Sequence, residues 1–277
     1  MSFHGDSEER SRDKGATMKR FIGILPAAGI ASRLRPFRYP KELLPVLFSR
    51  DATNGRARPV VAAEYSLLAM RDAGIEKCII IINEGKPEIL KYFGSGADLG
   101  MNLVYAVQSK PTGLPRAIHA AGDWLDGAHV CLALPDTIFR PRSAIREICG
   151  EICRNGSDLV LGVFPTDEPQ HLGPVRYSTD GRVLEVQDKP LETDLRNTWG
   201  VAVWSPRFTE LLAGSVGAWE LKEKDEKEHP LGEIFDEAVR SGFMVRSVSF
   251  ENGDYIDIGK PEGIHSIIMD GPECRLE

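Results

Sequence analysis

Positive charge is in short supply in this chain: 34 lysines and arginines face 41 aspartates and glutamates, a formal net charge of −7. A general nucleic-acid binder needs a basic face to displace counterions from phosphates, so that class is excluded. A nucleotide substrate is not excluded, because a few well-placed cations suffice for one triphosphate. Long apolar runs are missing as well. The longest strongly apolar run, Cys78 to Ile82, is far too short to cross a bilayer, and no membrane partner is expected. The five cysteines, Cys78, Cys131, Cys149, Cys153 and Cys274, lack disulfide or zinc-ribbon spacing. Cys149 and Cys153 lie four apart on a predicted helix, but no histidine or further cysteine stands beside them, and packing is their expected role. An odd count in apolar settings points to a reducing, cytoplasmic location. No Gly-x4-Gly-Lys-Ser/Thr loop occurs, which argues against the conventional NTPases, and Gly94 to Gly100 has the wrong spacing for a dinucleotide fingerprint. Residues 1–19 have no apolar stretch and no cleavage pattern; a disordered polar tail is expected there.

What the sequence does contain is a regular alternation of strand and helix signals. Strands are predicted at Phe21–Leu25, Lys77–Ile82, Asn102–Val107, His129–Leu134 and Asp158–Phe164. Helices are predicted from about Pro59 to Gly74, then at Pro87–Phe93, Pro115–Leu125 and Arg142–Arg154, with Pro59 in the first turn and Gly74 as a cap. The run Lys77–Ile82 has almost no polar interruption, which suits a strand covered on both faces. Repeated β-α units imply a three-layer α/β domain with a mainly parallel sheet. After Phe164 the texture changes. Val175–Tyr177, Val183–Val186 and Gly200–Trp204 are predicted as shorter strands on the same sheet, with Asp180-Gly181 as a hairpin turn. The charge run Glu220–Glu228 is expected to be a solvated loop or helix end. A helix at Leu231–Arg240, a strand at Phe243–Phe250 and a helix at Pro261–Ile268 complete the domain.

The segment richest in chemistry follows the first strand. It runs Ile24-Leu25-Pro26-Ala27-Ala28-Gly29-Ile30-Ala31-Ser32-Arg33-Leu34-Arg35-Pro36, then Pro40-Lys41-Glu42-Leu43-Leu44-Pro45. Small residues at a strand end let the backbone approach a ligand, so that amide N–H groups can face phosphate oxygens. Arg33, Arg35 and Lys41 stand close to that turn, and arginine forks with a lysine point charge are natural partners for a triphosphate. On composition alone, a β-α turn with solvent-facing arginines fits equally well. Gln108 and Gly113 follow a strand; a glutamine amide offers the donor and acceptor that read a pyrimidine edge. Asp136 falls just past one apolar strand and Asp257 ends another, in Tyr255-Ile256-Asp257-Ile258-Gly259. Carboxylates at the carboxyl ends of parallel strands can meet in a ligand crevice, where magnesium takes one or two of them together with phosphate oxygens and water.

The loop resembles the signature of the sugar nucleotidyltransferases, also called NDP-sugar pyrophosphorylases: small-Ala-Gly-x-Gly-Thr/Ser-Arg-Leu-x-Pro, then Pro-Lys-x-Leu-x-Pro. Ala28, Gly29, Ser32, Arg33, Leu34, Pro36, Pro40, Lys41, Leu43 and Pro45 fit it. The similarity recurs along nearly all of the chain after the tail. It implies a three-layer α/β/α Rossmann-like nucleotidyltransferase fold with a mainly parallel mixed sheet, a single domain over 20–277 in which 20–164 holds the nucleotide and 165–277 the sugar phosphate. It implies that Ala27, Ala28, Gly29, Ser32, Gln108 and Gly113 contact the nucleotide, that Arg33 and Lys41 act on the triphosphate, and that Asp136 and Asp257 hold Mg2+. Asp188-Lys189-Pro190 resembles the family's Glu-Lys-Pro, whose carboxylate holds sugar hydroxyls and whose lysine holds the sugar phosphate. Gly173 and Gly200, the latter in Trp199-Gly200, match sugar-side segments.

The implied reaction joins a nucleoside triphosphate (dTTP or UTP favoured) to a sugar 1-phosphate (glucose 1-phosphate favoured) and releases pyrophosphate, with homo-oligomers a possible assembly. A phosphate nucleophile is already ionised at neutral pH, so no general base is needed; this agrees with the absence of a Ser/His/Asp or Cys/His constellation. Three departures from the family pattern stand out. Ala31 replaces the second loop glycine, Pro36 to Lys41 is shorter than in many relatives, and Asp188 is one methylene shorter than the usual glutamate. Two rivals follow: a catalytically silent regulatory homologue that binds nucleotides or sugar phosphates, and a cytidylyltransferase acting on an aminoalcohol phosphate.

Overall fold

Successive side chains of a strand point to opposite faces, so a strand buried between two layers must be apolar at every position. Strands β1 (Phe21–Pro26), β4 (Lys77–Ile82) and β6 (His129–Ala133) meet that demand in a computed structural model of the protein, which describes residues 21–30, 32–50, 55–109, 112–222 and 228–269. The tail at 1–19, Ala31 and Cys274 lie outside the described residues. Leu25, Ile80 and Cys131 enter one core, while Ile24, Ile79 and Leu132 enter a second on the opposite face. The first core is closed by helices α1 (Ala62–Asp72), α2 (Pro87–Phe93) and α4 (Ala144–Asn155). The second is closed by α3 (Leu114–His119), α5 (Pro206–Lys222) and α6 (Leu231–Arg240).

The remaining strands are β2 (Pro45–Arg50), β3 (Ala57–Val61), β5 (Asn102–Val107), β7 (Thr137–Arg140), β8 (Leu159–Pro165), β9 (Val175–Tyr177), β10 (Val183–Val186), β11 (Asn197–Trp204), β12 (Val245–Ser249) and β13 (Asp254–Asp257), and helix α7 (Pro261–Met269) follows. The main sheet has seven strands in the order β12-β8-β11-β6-β1-β4-β5. Every neighbouring pair is parallel except those of β11, which runs antiparallel to both β6 and β8. This is the three-layer, mainly parallel mixed sheet expected from the β-α alternation. Because β11 is reversed, its first residues lie beside the carboxyl ends of β6 and β8, with Val201 opposite Ala133 and Trp199 opposite Val163. Among the described residues, no helix is long and apolar enough to cross a membrane.

Several local expectations need correction. Pro59 does not start a helix; it lies in β3 opposite Phe48, and α1 begins at Ala62. A two-stranded edge ladder tolerates the missing proline N–H, which is why the same residue suits either setting. The predicted helix Pro115–Leu125 is two pieces, α3 and a 3-10 turn over Gly122–Leu125, broken where Gly122 adopts φ +50°. Helix α5 went unpredicted because Gly214 and Gly217 interrupt it, yet its buried Phe208, Leu212 and Val216 recur every fourth residue, a helical stripe. Strands β9 and β10 do form a hairpin around Asp180-Gly181, with Gly181 at φ +84°, but as a separate two-stranded sheet rather than part of the main one. Cys149 is buried, as a packing residue should be, whereas Cys153 is exposed and does not take the core position expected of it.

Candidate active site

The first strand delivers its loop to the crevice above the parallel strands. Ala27 N–H still bonds to Ile81 O at 2.7 Å, and Gln108 N–H bonds to Ile82 O at 2.8 Å, so the loop and Gln108 leave the sheet on either side of β4. This is the carboxyl edge where open α/β sheets take ligands. A 3-10 turn over Ser32–Leu34 carries Arg33 outward, its side chain 57% exposed and its Nη1 3.5 Å from Asp257 Oδ2. A second 3-10 turn, Lys41–Leu43, carries Lys41 inward, where its Nζ donates to Asp136 Oδ2. The shortened path from Pro36 therefore still brings Lys41 to the acidic pair.

Asp136 and Asp257 come together through a ladder that the sequence did not reveal. Asp257 ends β13, which pairs antiparallel with β7 outside the main sheet, with Asp257 opposite Thr137. Its position at the end of a parallel strand was thus the wrong expectation, while its meeting with Asp136 holds. Ile258 N–H bonds to Asp136 O at 2.9 Å, and Ser66 Oγ donates to Leu134 O at 2.9 Å, bracing the Asp136 turn from α1. Gly259 N–H donates to Asp257 Oδ1 at 2.7 Å. A Cβ on Gly259 would lie 2.7 Å from Asp257 Oδ1, 2.9 Å from Lys41 Nζ and 3.0 Å from Asp136 Oδ2. Three charged groups therefore converge on one point that only a glycine leaves open.

Electrostatics match that convergence. Burial raises the Asp257 carboxyl above the ordinary range, and the Asp136 charge adds to it, against Arg33, the Gly259 N–H and Lys41. Burial works against a charged Lys41, but the charge and hydrogen bond of Asp136, with Glu42 and Asp257, leave its ammonium held more tightly than usual. Burial also raises Tyr255, whose hydroxyl is hydrogen-bonded with Thr137.

The base-side and sugar-side residues are joined by the segment entering α6. Gln108 is 7% exposed, and its Nε2 lies 3.5 Å from Gly113 O. Gly113 adopts φ +101°, and a Cβ there would meet Glu228 Cγ at 2.9 Å and His229 O at 3.1 Å. His229 stacks on Trp219 with ring centroids 3.9 Å apart, and Gly232, three residues on, packs against Asp188. Burial raises the Asp188 carboxyl; Lys189 opposes this, while Glu233 and Glu228 add to it. Lys189 is exposed and holds φ +43°, rare for a side-chain-bearing residue, with its N–H on Leu172 O at 2.8 Å. Strain of this kind persists where surrounding structure enforces it.

Two of the glycines singled out by the sequence serve packing. A Cβ on Gly173 would collide with the Trp199 indole, reaching Cδ1 at 2.6 Å, and one on Gly200 would lie 2.8 Å from Tyr255 Cδ2 and 3.0 Å from Phe164 Cδ2. A Cβ on Gly29, by contrast, would meet nothing within 4 Å. Gly173→Ala should therefore destabilise the fold by about 3 kcal/mol in urea titration, as overpacking does. Gly29→Ala should leave the unfolding midpoint in place and weaken only ligand binding at the loop. Equal stability losses in the two variants would contradict this division. Tyr255, Gly259, His229, Glu42, Asn83 and Lys86 are site neighbours that sequence reasoning missed; of these only Gly259 had a signal, as the glycine that follows Asp257 in the matched motif.

Comparison with known proteins shows the family and the fold. The nucleotidyl transferase family matches residues 22–273, and the chain belongs to that family of enzymes. It is 27% identical over 247 residues to the low-salt glycan biosynthesis nucleotidyltransferase Agl11 of Haloferax volcanii, across 87% of this chain and 63% of that protein, so it spans just under two thirds of that relative. It is 26% identical over 246 residues to the glucose-1-phosphate thymidylyltransferase of Neisseria gonorrhoeae, across 88% of this chain and 80% of that one. A Bacillus anthracis structure assigned as a glucose-1-phosphate thymidylyltransferase, in complex with a sucrose, shares the fold with a TM-score of 0.78 at 20% identity, covering 93% of this chain and 97% of that one.

Proposed function

We propose that the protein transfers a nucleotidyl group from a nucleoside triphosphate to a sugar 1-phosphate. The convergence of Lys41, Asp136 and Asp257 on Gly259, with Arg33 beside them at the end of the phosphate loop, carries this reading. A phosphate oxygen of the sugar 1-phosphate attacks the α-phosphorus in line; a new P–O bond forms, the α–β bridging bond breaks, and pyrophosphate leaves with the electron pair. Such a step needs alignment and charge neutralisation rather than a general base. Arg33 neutralises the triphosphate and the departing charge. Lys41 sits at the α-phosphate, and Lys189 aligns the attacking phosphate. Ala27, Ala28, Gly29 and Ser32 line the triphosphate, Gln108 and Gly113 the base, and Asp188 the sugar, while Gly173 and Gly200 shape that side indirectly by leaving room for Trp199 and Tyr255.

The donor set fits magnesium. Two carboxylates meet at the Gly259 gap, and among the described residues no third His, Cys, Asp or Glu joins them to complete a protein-only cage. Magnesium is commonly held by such a pair, with phosphates and water filling its other positions. Asp136 and Asp257 would hold it, and it would supply positive charge to the phosphates.

The reading is tested by a matrix of UTP, dTTP, CTP, ATP and GTP against sugar 1-phosphates, following pyrophosphate release with magnesium and again with EDTA. UTP or dTTP with glucose 1-phosphate should be the best pair, and EDTA should abolish turnover. Nucleotide-induced thermal stabilisation without release in any pair would instead identify a silent homologue. CTP is also paired with phosphocholine, so that release in that pair alone would identify a cytidylyltransferase acting on an aminoalcohol phosphate.

A further inference from the structure

Two backbone carbonyls of the phosphate loop are held by side chains of the turn that follows β4. Asn83 Nδ2 donates to Ala28 O, and Lys86 Nζ donates to Ala27 O at 2.9 Å. The turn is itself fixed: Gly85 N–H bonds to Asn83 Oδ1 at 2.8 Å, and Lys86 N–H to Asn83 O at 3.0 Å. This asparagine turn sends both donors toward the end of β1. Lys86 is 7% exposed, and its second partner is Glu42 Oε1 at 2.7 Å, with Glu42 only 1% exposed. Glu42 Oε2 is buried without a hydrogen-bond partner. A buried ion pair that leaves one oxygen unsatisfied is a poor means of stabilising a fold, since apolar residues of similar volume do as well or better.

A trans peptide is planar, so each carbonyl points opposite to the N–H of the following residue. Fixing Ala27 O against Lys86 therefore aims the Ala28 N–H away from the clamp, and fixing Ala28 O against Asn83 does the same for the Gly29 N–H. The space beyond Gly29 is open. Glu42, next to Lys41 in the chain, ties this clamp to the turn that sets Lys41 against Asp136.

We infer that Asn83, Lys86 and Glu42 are positioning residues for the nucleotide: by holding the Ala27 and Ala28 carbonyls inward, they preset the loop amides as an anion cradle for the triphosphate. This rests on the proposed nucleotidyl transfer, but it concerns binding and does not depend on turnover. Preorganised donors of this kind favour a ligand because they need no rearrangement when it arrives.

Lys86→Met alone would strand the buried Glu42 charge and risk misfolding, so the informative proteins are the neutral double variant Glu42→Gln/Lys86→Met and the single variant Asn83→Asp. The latter still accepts the Gly85 N–H but has no donor for Ala28 O. Calorimetric titration with magnesium–UTP and magnesium–dTTP should show Kd raised about tenfold or more in each, the worth of one or two hydrogen bonds. KM for the nucleotide should rise in parallel while KM for the sugar 1-phosphate stays put, and Lys86→Arg should retain most of the nucleotide affinity. Folded variants with unchanged nucleotide Kd overturn the inference, as does an equal rise in both KM values. If the wild type binds nucleotide but releases no pyrophosphate, the proposed reaction falls while the cradle is still decided by the titrations. A wild type that binds neither nucleotide overturns both.

Discussion

The Asp136→Asn enzyme should release pyrophosphate about a thousandfold more slowly than wild type, the scale expected when a charged group at a phosphoryl-transfer centre is removed. The substitution is isosteric. It keeps an oxygen for Lys41 but removes half of the carboxylate pair around Gly259, so the proposed magnesium would have one charged ligand in place of two. The fold should tolerate the change, because the backbone of Asp136 is held independently by Ile258 N–H. Loss of the Asp136 charge also relieves Asp257, whose carboxyl should titrate closer to its ordinary range. The assay is pyrophosphate release at saturating magnesium, with circular dichroism melting as the control. Turnover within tenfold of wild type, in a protein that melts normally, would remove Asp136 from the site.

Lys189→Ala should cost about 10²- to 10³-fold in kcat/KM, as loss of a charge that orients a reacting phosphate does. The effect should appear in the sugar 1-phosphate KM and in kcat, with nucleotide affinity untouched. Lys189 is exposed, so little stability should be lost with its side chain. Its backbone predicts a slight gain or loss only, since alanine is no more at ease than lysine at φ +43°. Lys189→Gly supplies the control: it relaxes the backbone and removes the same charge, and should be equally inactive. Recovery of activity in the glycine variant would mean that the strained turn, and not the ammonium, had been the important feature.

Much of the architecture was legible because burial on both faces forces apolar content at every position of a strand. Lys77–Ile82 and Pro87–Phe93 appear in the structure with their predicted bounds. Elements that obey weaker rules were lost. β7 is four residues long and leaves no long apolar run, and the strand read before Asp257 gave no sign that it pairs antiparallel with β7 outside the main sheet. α5 was hidden by two glycines whose helix-breaking tendency is outweighed by three buried side chains on one stripe. At the site, single-residue motifs found the charged groups but not what aims them. Asn83 and Lys86 lie in a turn that looks like any solvent-exposed connection, and their partners in the phosphate loop are carbonyl oxygens, which have no signature in a sequence. The same blindness explains Gly173: a glycine required by an indole and one required by a ligand are written identically.

The β7–β13 ladder gives the centre a timetable. Synthesis delivers Asp136 with the phosphate loop and Lys41 already made, whereas its partner carboxylate arrives on one of the last strands described, just ahead of α7. A chain made only as far as β12 contains Asp136 and its Lys41 partner but not Asp257. The acidic pair exists only once the late strand has docked beside the early one.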